Sequence, residues 1–425
     1  MMFATTRRRA TAVLAAGTVP FLLLTACSSP STDSGSGATA GGEVRMLVNL
    51  TDNLTQDYWN KLVKPFEDKT GIDVKIEGPT GKSVAETFPT QLAAGTAPDV
   101  IQSLFPDQQT APELVDLSGE GWVKDTPMAD TYAMEGKNYV VGVGSQAQSL
   151  VYYNKSAFAA AGITKTPETW DEFNETLQKL KTAGFTPLQS AGQFMTGLQL
   201  QQLWHPTLNI EHPKWQSSVT DESLTVGQAY QPMFEKYSKW IEDGYIAKDA
   251  VGLDPSAADA NFIGGKVGMY PLGSWFVATL VKAGNLPFEV GVFSPPVDKG
   301  QDYPGPQGAT MATPYMVYQG SKNLDASKQL VQYLVTDETA IKTQLTADGG
   351  FRAGYDVQTS DAGKDVQKIV DSAPSLVSVG QGAGDNQLPV AGFNPRFTQV
   401  AQSLFTGASP QDAANSIDQW VKENR

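Results

Sequence analysis

The chain is poor in the residues that most often build covalent or metal sites. Cys27 is the only cysteine among 425 residues, and His205 and His212 are the only two histidines. A single cysteine cannot form an intramolecular disulfide, so the fold depends on its hydrophobic core. The histidines are seven residues apart, which is not the spacing of a helical ligand pair, and no cysteine lies near them. The sequence therefore disfavours a metal site.

Basic residues are also scarce, with 31 Lys and Arg against 45 Asp and Glu. Arg7, Arg8 and Arg9 lie in the N-terminal leader; without these three, 28 basic groups remain and the net charge falls from −14 to −17. Nucleic acids and anionic membrane surfaces both favour proteins rich in lysine and arginine. We therefore expect neither as a partner of the mature protein.

Motifs for nucleotide binding and for serine hydrolysis are incomplete or missing. The run Gly78-Pro79-Thr80-Gly81-Lys82-Ser83 resembles a phosphate-binding loop, but Ile76 stands where the first glycine belongs. The sequence Gly-x-Ser-x-Gly does not occur. We expect no cofactor.

The N-terminal segment predicts export followed by lipid attachment. Basic Arg7–Arg9 precede an apolar run from Ala10 to Ala26 that is interrupted by Gly17 and Pro20. Such a run is typical of a signal-peptide core and is shorter than the roughly 20 apolar residues that span a membrane. It ends in Leu24-Thr25-Ala26-Cys27, which resembles the bacterial lipobox. We expect residues 1–26 to be a signal peptide and residues 27–42 to be a lipidated Cys27 with a Ser/Gly-rich flexible tether.

About 400 mature residues exceed what one core usually organises, so two domains are expected. Strand and helix patterns alternate in the first part of the mature chain, which predicts a mostly parallel sheet flanked by helices. The predicted elements are strands at Val44–Val48 and Ile72–Ile76, helices at Asp57–Lys69 and Val84–Ala94, and a strand ending at Ile101. An apolar strand is predicted at Asn138–Gly144, and the polar segment Ser145–Gln148 after it can absorb backbone rotation as a hinge.

The middle of the chain predicts a buried strand at Leu150–Tyr153, a short helix at Ser156–Ala161, and a longer helix. Thr166 and Pro167 provide a hydroxyl N-cap and a proline at the first helical position. The apolar face of that helix is formed by Trp170, Phe173, Leu177 and Leu180, and Gly184 ends it.

Three segments carry a resemblance to a known family. They are the mid-chain stretch Leu150–Leu188 with its YYNK, AGI and TPETWDEF motifs, the segment LAAGTAPDVI at Leu92–Ile101, and Asn261–Trp275 with its Gly-Lys and Gly-Ser-Trp elements. Together they resemble the extracellular solute-binding proteins of carbohydrate ABC importers, the maltose-binding-protein-like group. The resemblance implies an α/β, two-lobe periplasmic-binding-protein-like (type II) fold with a hinge between lobes. It places residues 43–147 plus 312–350 in the first lobe and 148–311 plus 351–425 in the second.

The resemblance also implies ligand-binding residues. Trp275 is the main candidate, since a flat aromatic can stack on the C–H face of a sugar ring while amides and carboxylates bind its hydroxyls. Asn53 and Asp107 follow first-lobe strands and could instead cap local turns. The remaining candidates are Gln146, Phe393, Phe105, Asn394, Gln193 and Trp204.

The implied function is to capture a carbohydrate of the oligosaccharide class. The protein would deliver it to ABC permease subunits by hinge closure, without catalysis. The protein would be a monomer at the outer face of the cell membrane, attached only through its lipid. Two alternatives stay open: a cell-surface glycoside hydrolase or lyase, since carboxylates are plentiful, and a surface adhesin without a small-ligand site.

Replacing Cys27 by alanine tests the anchor. We expect Cys27→Ala to release the protein from membranes, because the acyl chains attached to this thiol are the expected source of stable membrane binding. Fractionation of cells grown with radiolabelled palmitate measures both location and acylation. Label retained on the variant, or continued membrane association, contradicts lipidation at Cys27.

Overall fold

The computed structural model describes residues 42–81, 83–301, 308–372, 377–378 and 380–425. Cys27, the signal peptide and nearly all of the predicted tether lie outside the described residues. Within the described part of the chain, no helix is both long and apolar enough to cross a membrane.

The first sheet has the strand order β10-β3-β1-β2. Its strands are β1 (Glu43–Leu47), β2 (Asp73–Glu77), β3 (Val100–Gln102) and β10 (Tyr315–Val317). β1 pairs in parallel with both β2 and β3, whereas β10 runs antiparallel to β3. The predicted βαβ order at the start of the mature chain is therefore confirmed.

The strands of the second sheet come from the middle of the chain and have the order β6-β7-β5-β8. The strands are β5 (Leu150–Asn154), β6 (Thr186–Leu188), β7 (Val267–Leu272) and β8 (Val290–Phe293). β6 runs parallel to β7, and β5 runs antiparallel to both β7 and β8. Each large sheet thus has one strand that runs against the other three.

A smaller sheet, β11-β9-β4, connects the two. It contains β4 (Gly144–Gln148), β9 (Gly308–Ala312) and β11 (Val377–Ser378), with β4 antiparallel to β9. The sequence predicted a strand at Asn138–Gly144 followed by a polar hinge, and this boundary is wrong. The polar segment is itself the strand, because its backbone pairs with β9 along the whole of β4.

The helices flank these sheets. They are α1 (Gln56–Thr70), α2 (Val84–Ala93), α3 (Ala129–Tyr132), α4 (Lys155–Ala160), α5 (Trp170–Thr182), α6 (Met195–Glu211), α7 (Trp215–Thr220), α8 (Val226–Glu242), α9 (Pro255–Ile263), α10 (Phe276–Ala283), α11 (Leu324–Thr336), α12 (Glu338–Ala347), α13 (Asp361–Ser372), α14 (Phe393–Ser403) and α15 (Pro410–Asn424).

Helix α5 begins three residues later than Thr166 and Pro167 predicted. Thr169 is the N-cap: its hydroxyl accepts from the Glu172 backbone N–H, and the Glu172 carboxylate accepts from the Thr169 backbone N–H. This reciprocal capping box satisfies two backbone donors at once, which a lone hydroxyl at position 166 does not.

Two main hydrophobic cores lie on either side of the small connecting sheet. The first contains Trp59 and Phe66 from α1 together with Leu334 from α11. The second is centred on Trp170, Trp204 and Trp240. Elements on both sides therefore bury their apolar faces against their own sheet, the arrangement expected of two α/β layers.

The chain passes between the two large sheets three times: from β4 into β5, from β9 into β10, and after α12 through Gly349–Phe351. We call the segments 144–149, 312–313 and 348–351 the crossing region. Each segment contains one residue with a left-handed backbone: Ser149 (φ 56°), Thr313 (φ 48°) and Gly349 (φ 55°). The predicted lobe boundaries fall within these segments, and the division into two lobes stays a prediction.

Gly349 is the position where the crossing region is most tightly packed. A Cβ there would lie 2.1 Å from the Ser274 carbonyl oxygen, and φ is already +55°. We expect Gly349→Ala to lower the free energy of unfolding by about 3 kcal/mol, from the left-handed backbone and the forced displacement together.

Gly354→Ala is the matched control, since φ there is +84° but nothing lies within 4 Å of the added Cβ. Its expected loss is about 1 kcal/mol, from the backbone alone. Urea unfolding measures both; equal losses would show that the packing at Gly349 is not tight.

Candidate functional site

Trp275 lies beside the crossing region. It directly precedes α10 and is half-buried, with its ring over the backbone of Gly273, where an added Cβ would lie 2.0 Å from a ring carbon. On its other side, its Cα lies 2.8 Å from the position of a Cβ on Gly349. The Gly-Ser-Trp element therefore places the backbone of Trp275 against the third crossing.

Ser274 fixes this arrangement through hydrogen bonds. Its hydroxyl donates to the Gly349 carbonyl at 2.6 Å and accepts from the Ala147 N–H at 3.1 Å. Its backbone N–H donates to the Ala147 carbonyl at 2.8 Å. Ser274, the buried residue that precedes Trp275, thus connects the first crossing to the third.

Gln146 and Asp348 contact each other in the same place. The Gln146 side-chain amide is buried and donates to the Asp348 backbone carbonyl at 2.7 Å. Asp348 is half-buried in a crowded environment. Its removal from water raises its pKa to about 7, and the neighbouring Gln146 amide opposes that rise.

Tyr58 from α1 adds a phenol beside Asp348. Its hydroxyl is buried and has no hydrogen-bond partner in the described part of the chain. Burial and the neighbouring Asp348 carboxylate raise the pKa of this phenol, so it stays protonated at any ordinary pH. Sequence reasoning missed both Asp348 and Tyr58. The only signal for Asp348 was its position before Gly349-Gly350, which the sequence marks as a crossing.

The first-lobe loop after β1 reaches across to α10. The Asn53 side-chain amide donates to the Thr279 hydroxyl at 3.3 Å, and the Lys282 ammonium donates to the Asp52 carbonyl. Asn53 was predicted to bind ligand. In this structure its amide connects the loop after β1 to α10, the helix that Trp275 directly precedes.

Asp107 and Phe105 have local partners. The Asp107 carboxylate accepts from the backbone N–H groups of Gln109 at 3.1 Å and Thr110 at 2.8 Å, which is the turn-capping alternative left open by the sequence. Phe105 is half-buried and stacks on Tyr132, with ring centroids 4.8 Å apart. Nothing in these contacts brings either residue to Trp275.

Trp204 and Phe393 are core residues, and their prediction as ligand-stacking aromatics is wrong in this structure. Trp204 is 1% exposed, packs 6.0 Å from Trp170, and donates its indole N–H to the Ala229 carbonyl at 2.8 Å. Phe393 is fully buried against Phe397. Both rings lie inside the second core because the helices that carry them, α6 and α14, pack on each other.

Gln193, just before α6, and Asn394, in the first turn of α14, are both exposed. Gln193 has a left-handed backbone and donates its amide to Asp254 at 3.0 Å, and Asn394 accepts from Gln201 at 3.3 Å. Neither contact joins them to Trp275. The structure therefore brings together Trp275 and Gln146 from the predicted set, with Asn53 nearby.

Asp259 on α9 is, like Asp348, a half-buried carboxylate. Burial raises its pKa to about 6 although the Tyr270 hydroxyl donates to it at 2.9 Å. Arg352 follows the third crossing but donates its guanidinium to the backbone carbonyls of Val143 at 3.3 Å and Val335 at 3.1 Å. Among the described residues, no group of three or more His, Cys, Asp or Glu is placed to hold a metal ion.

Comparison with known proteins agrees with this architecture. The family model of the bacterial extracellular solute-binding proteins matches residues 52–341, well over half of the chain. The chain belongs to this family. Its members are receptors that bind solutes outside the cytoplasm, in contrast to enzymes.

Curated relatives and a solved structure extend the comparison. The multiple sugar-binding protein of Streptococcus mutans is 27% identical over 337 residues, covering 70% of this chain and 74% of its own. The diacetylchitobiose binding protein of Streptomyces coelicolor is 24% identical over 418 residues, covering 93% of each chain. The solved structure of a chitin oligosaccharide binding protein superposes with a TM-score of 0.75 at 21% identity, covering 90% of this chain and 99% of its own. At that identity the likeness establishes the shared fold, the type II periplasmic binding protein fold that the sequence predicted.

This chain thus contains two kinds of tryptophan, one fully buried and one half-buried, that substitution should separate. We expect Trp204→Ala to lower the free energy of unfolding by about 3–5 kcal/mol, because it empties a fully packed site and removes the hydrogen bond from the indole to the Ala229 carbonyl. Half-buried Trp275→Ala should lose about 1 kcal/mol. Urea unfolding without ligand measures both. A Trp275→Ala loss as large as that of Trp204→Ala would make Trp275 a core residue.

Proposed function

We propose that this protein is a lipid-anchored receptor that captures a carbohydrate, an oligosaccharide, between two α/β lobes and delivers it to the permease subunits of an ABC transporter. The observation that carries the proposal is the position of Trp275. The Gln146 side-chain amide donates to the Asp348 backbone where the chain crosses between its two sheets, and the backbone of half-buried Trp275 packs against Gly349, the residue that follows Asp348. A sugar requires both an apolar surface for its C–H face and polar groups for its hydroxyls.

The charges favour a neutral ligand over a phosphorylated one. Recognition of a phosphate ester normally uses arginine or lysine. In the described residues around Trp275, Arg352 is bound to backbone carbonyls and Lys282 is bound to the Asp52 carbonyl. Asp348 supplies a carboxylate at the third crossing. Sugar-binding relatives and a chitin oligosaccharide-binding neighbour support the same ligand class.

Ligand binding would be coupled to closure of the lobes. The left-handed residues Ser149, Thr313 and Gly349 mark the points where backbone rotation can concentrate. Closure adds contacts from the second side to a ligand already held on the first, and those contacts supply the affinity of the closed state. The receptor carries out no chemistry on its ligand and acts as a monomer at the outer face of the membrane, attached through Cys27.

Thermal unfolding against a panel of sugars tests the proposal. The chain without residues 1–41 is heated with N,N′-diacetylchitobiose, maltotriose, raffinose or xylotriose, and with glycerol 3-phosphate as the anionic control. A ligand at 100 times its Kd stabilises by about 2.7 kcal/mol, which raises Tm by about 3 °C for a chain of this size. We expect at least one neutral sugar, and not the phosphate, to give this shift.

Calorimetry with the best sugar then measures Kd for the wild-type protein and for Trp275→Ala. Loss of the stacking surface should weaken binding at least about 10-fold. Chromatography of the same samples separates the glycosidase alternative: conversion of the sugar to products contradicts a receptor without catalysis. No shift with any oligosaccharide contradicts the carbohydrate assignment.

A further inference from the structure

Asp348 is a carboxylate that neither caps a helix nor forms an ion pair among the described residues, although the Gln146 amide lies beside it. Several other aspartates here cap helices or turns: Asp337, for example, accepts from the backbone N–H groups of Thr339 at 3.0 Å and Ala340 at 2.9 Å. Asp348 lies at the other end of the same helix, α12, where a carboxylate meets no free N–H groups. No lysine, arginine or histidine in the described part of the chain pairs with it. A half-buried carboxylate that is neither a cap nor an ion-pair partner is unusual enough to need another explanation.

The phenol of Tyr58 is a second polar group beside Asp348. Its hydroxyl is buried and unpartnered within the described residues. Tyr315, the other phenol close to Asp348, already donates to the Gln344 side chain. An unsatisfied buried hydroxyl loses its hydrogen bonds to water on folding, which is unfavourable unless another partner replaces them.

We infer that Asp348 and Tyr58 bind the hydroxyl edge of the sugar ring that stacks on Trp275, with Asp348 accepting from sugar hydroxyls in its ionised form. This inference rests on the proposed function and names the residues that would choose the ligand. The geometry supports it, since Gly349, the residue after Asp348, packs against the backbone of Ser274 and Trp275. A carboxylate can accept from two neighbouring hydroxyls, and the phenol can donate or accept at a third.

Such a pair would decide which sugars bind. A site built to hydrogen-bond a particular hydroxyl discriminates strongly against a ligand that lacks it, because the buried groups are then left unpaired. Asp348 comes from the segment after α12 and Tyr58 from α1, so both belong to the predicted first lobe, while Trp275 belongs to the second. The ring would therefore be held between an aromatic face on one side and a polar edge on the other.

Two variants and a control test the pair by calorimetry with the sugar that gives the largest shift in the panel. Asp348→Asn should weaken binding about 10- to 100-fold, through loss of charge-assisted hydrogen bonds. Tyr58→Phe should weaken it about 3- to 10-fold and leave the apo protein as stable as the wild type or more so, because the hydroxyl has no protein partner to lose. Asp259→Asn is the control. It removes another half-buried carboxylate of raised pKa, one whose hydrogen-bond partner is Tyr270 and not Asp348 or Tyr58, and affinity should not change.

The pH profile separates ligand binding from a structural role. Burial raises the pKa of Asp348 to about 7, so protons compete with the sugar as the pH falls through that value. The groups that face Asp348 are the phenols Tyr58 and Tyr315, both with raised pKa, and the uncharged Gln146; none of them titrates near pH 7. Affinity for a neutral sugar should fall about 10-fold between pH 8 and pH 6. The Asp348→Asn variant should show no such fall.

Each result decides the inference. Weaker binding by Asp348→Asn together with a flat pH profile supports it. Unchanged affinity in Asp348→Asn, or weaker binding that keeps the wild-type pH profile, overturns it while leaving the receptor function in place. A wild-type protein that binds none of the sugars overturns the proposed function and this inference with it.

Discussion

The Ser274 hydroxyl is the interaction on which the arrangement of the site depends. It joins the Ala147 N–H of the first crossing to the Gly349 carbonyl of the third, in a place fully shielded from water. Hydrogen bonds in such an environment are electrostatically strong, and a buried donor or acceptor left without its partner lowers the stability of the fold. Because Trp275 follows Ser274 and Asp348 precedes Gly349, the position of one fixes the position of the other. The serine therefore sets the distance between the aromatic and the polar sides of the proposed site.

Rigidity at this junction is compatible with movement of the lobes. Backbone rotation can occur at Ser149, Thr313 and Gly349, where the chain already adopts a left-handed conformation, while the hydrogen bonds around Ser274 and the paired backbones of Ser145 and Phe351 stay intact. A hinge built this way would rotate the lobes around a fixed base. The Asn53–Thr279 and Lys282–Asp52 contacts farther out would be the ones that form or break as the lobes move.

Much of the local fold was predictable because its causes are local. Helices α1 and α2 carry apolar residues at helical spacing, so the predicted intervals Asp57–Lys69 and Val84–Ala94 end within one residue of the observed helices. Helix α5 begins after Thr169 because Thr169 and Glu172 have the Thr-x-x-Glu spacing of a capping box, a local signal that competes with the Thr166-Pro167 pair three residues earlier. The Ser145–Gln148 segment looked like a loop because its composition is polar; only its pairing with β9 makes it a strand.

By itself the sequence determined the family and much of the order of helices and strands, since both are written in contiguous residues, and it predicted Trp275 as a ligand-binding residue. Tertiary structure decided which aromatic residues lie in the core. Trp204, Phe393 and Trp275 are all large aromatic residues, but the first two are fully buried and Trp275 is half-buried. Tertiary structure also brought Tyr58 and Asp348 together across 290 residues of chain. A contact of that sequence separation depends on how the sheets pack and leaves no pattern in either local segment, so the polar half of the proposed site could be found only in the folded molecule.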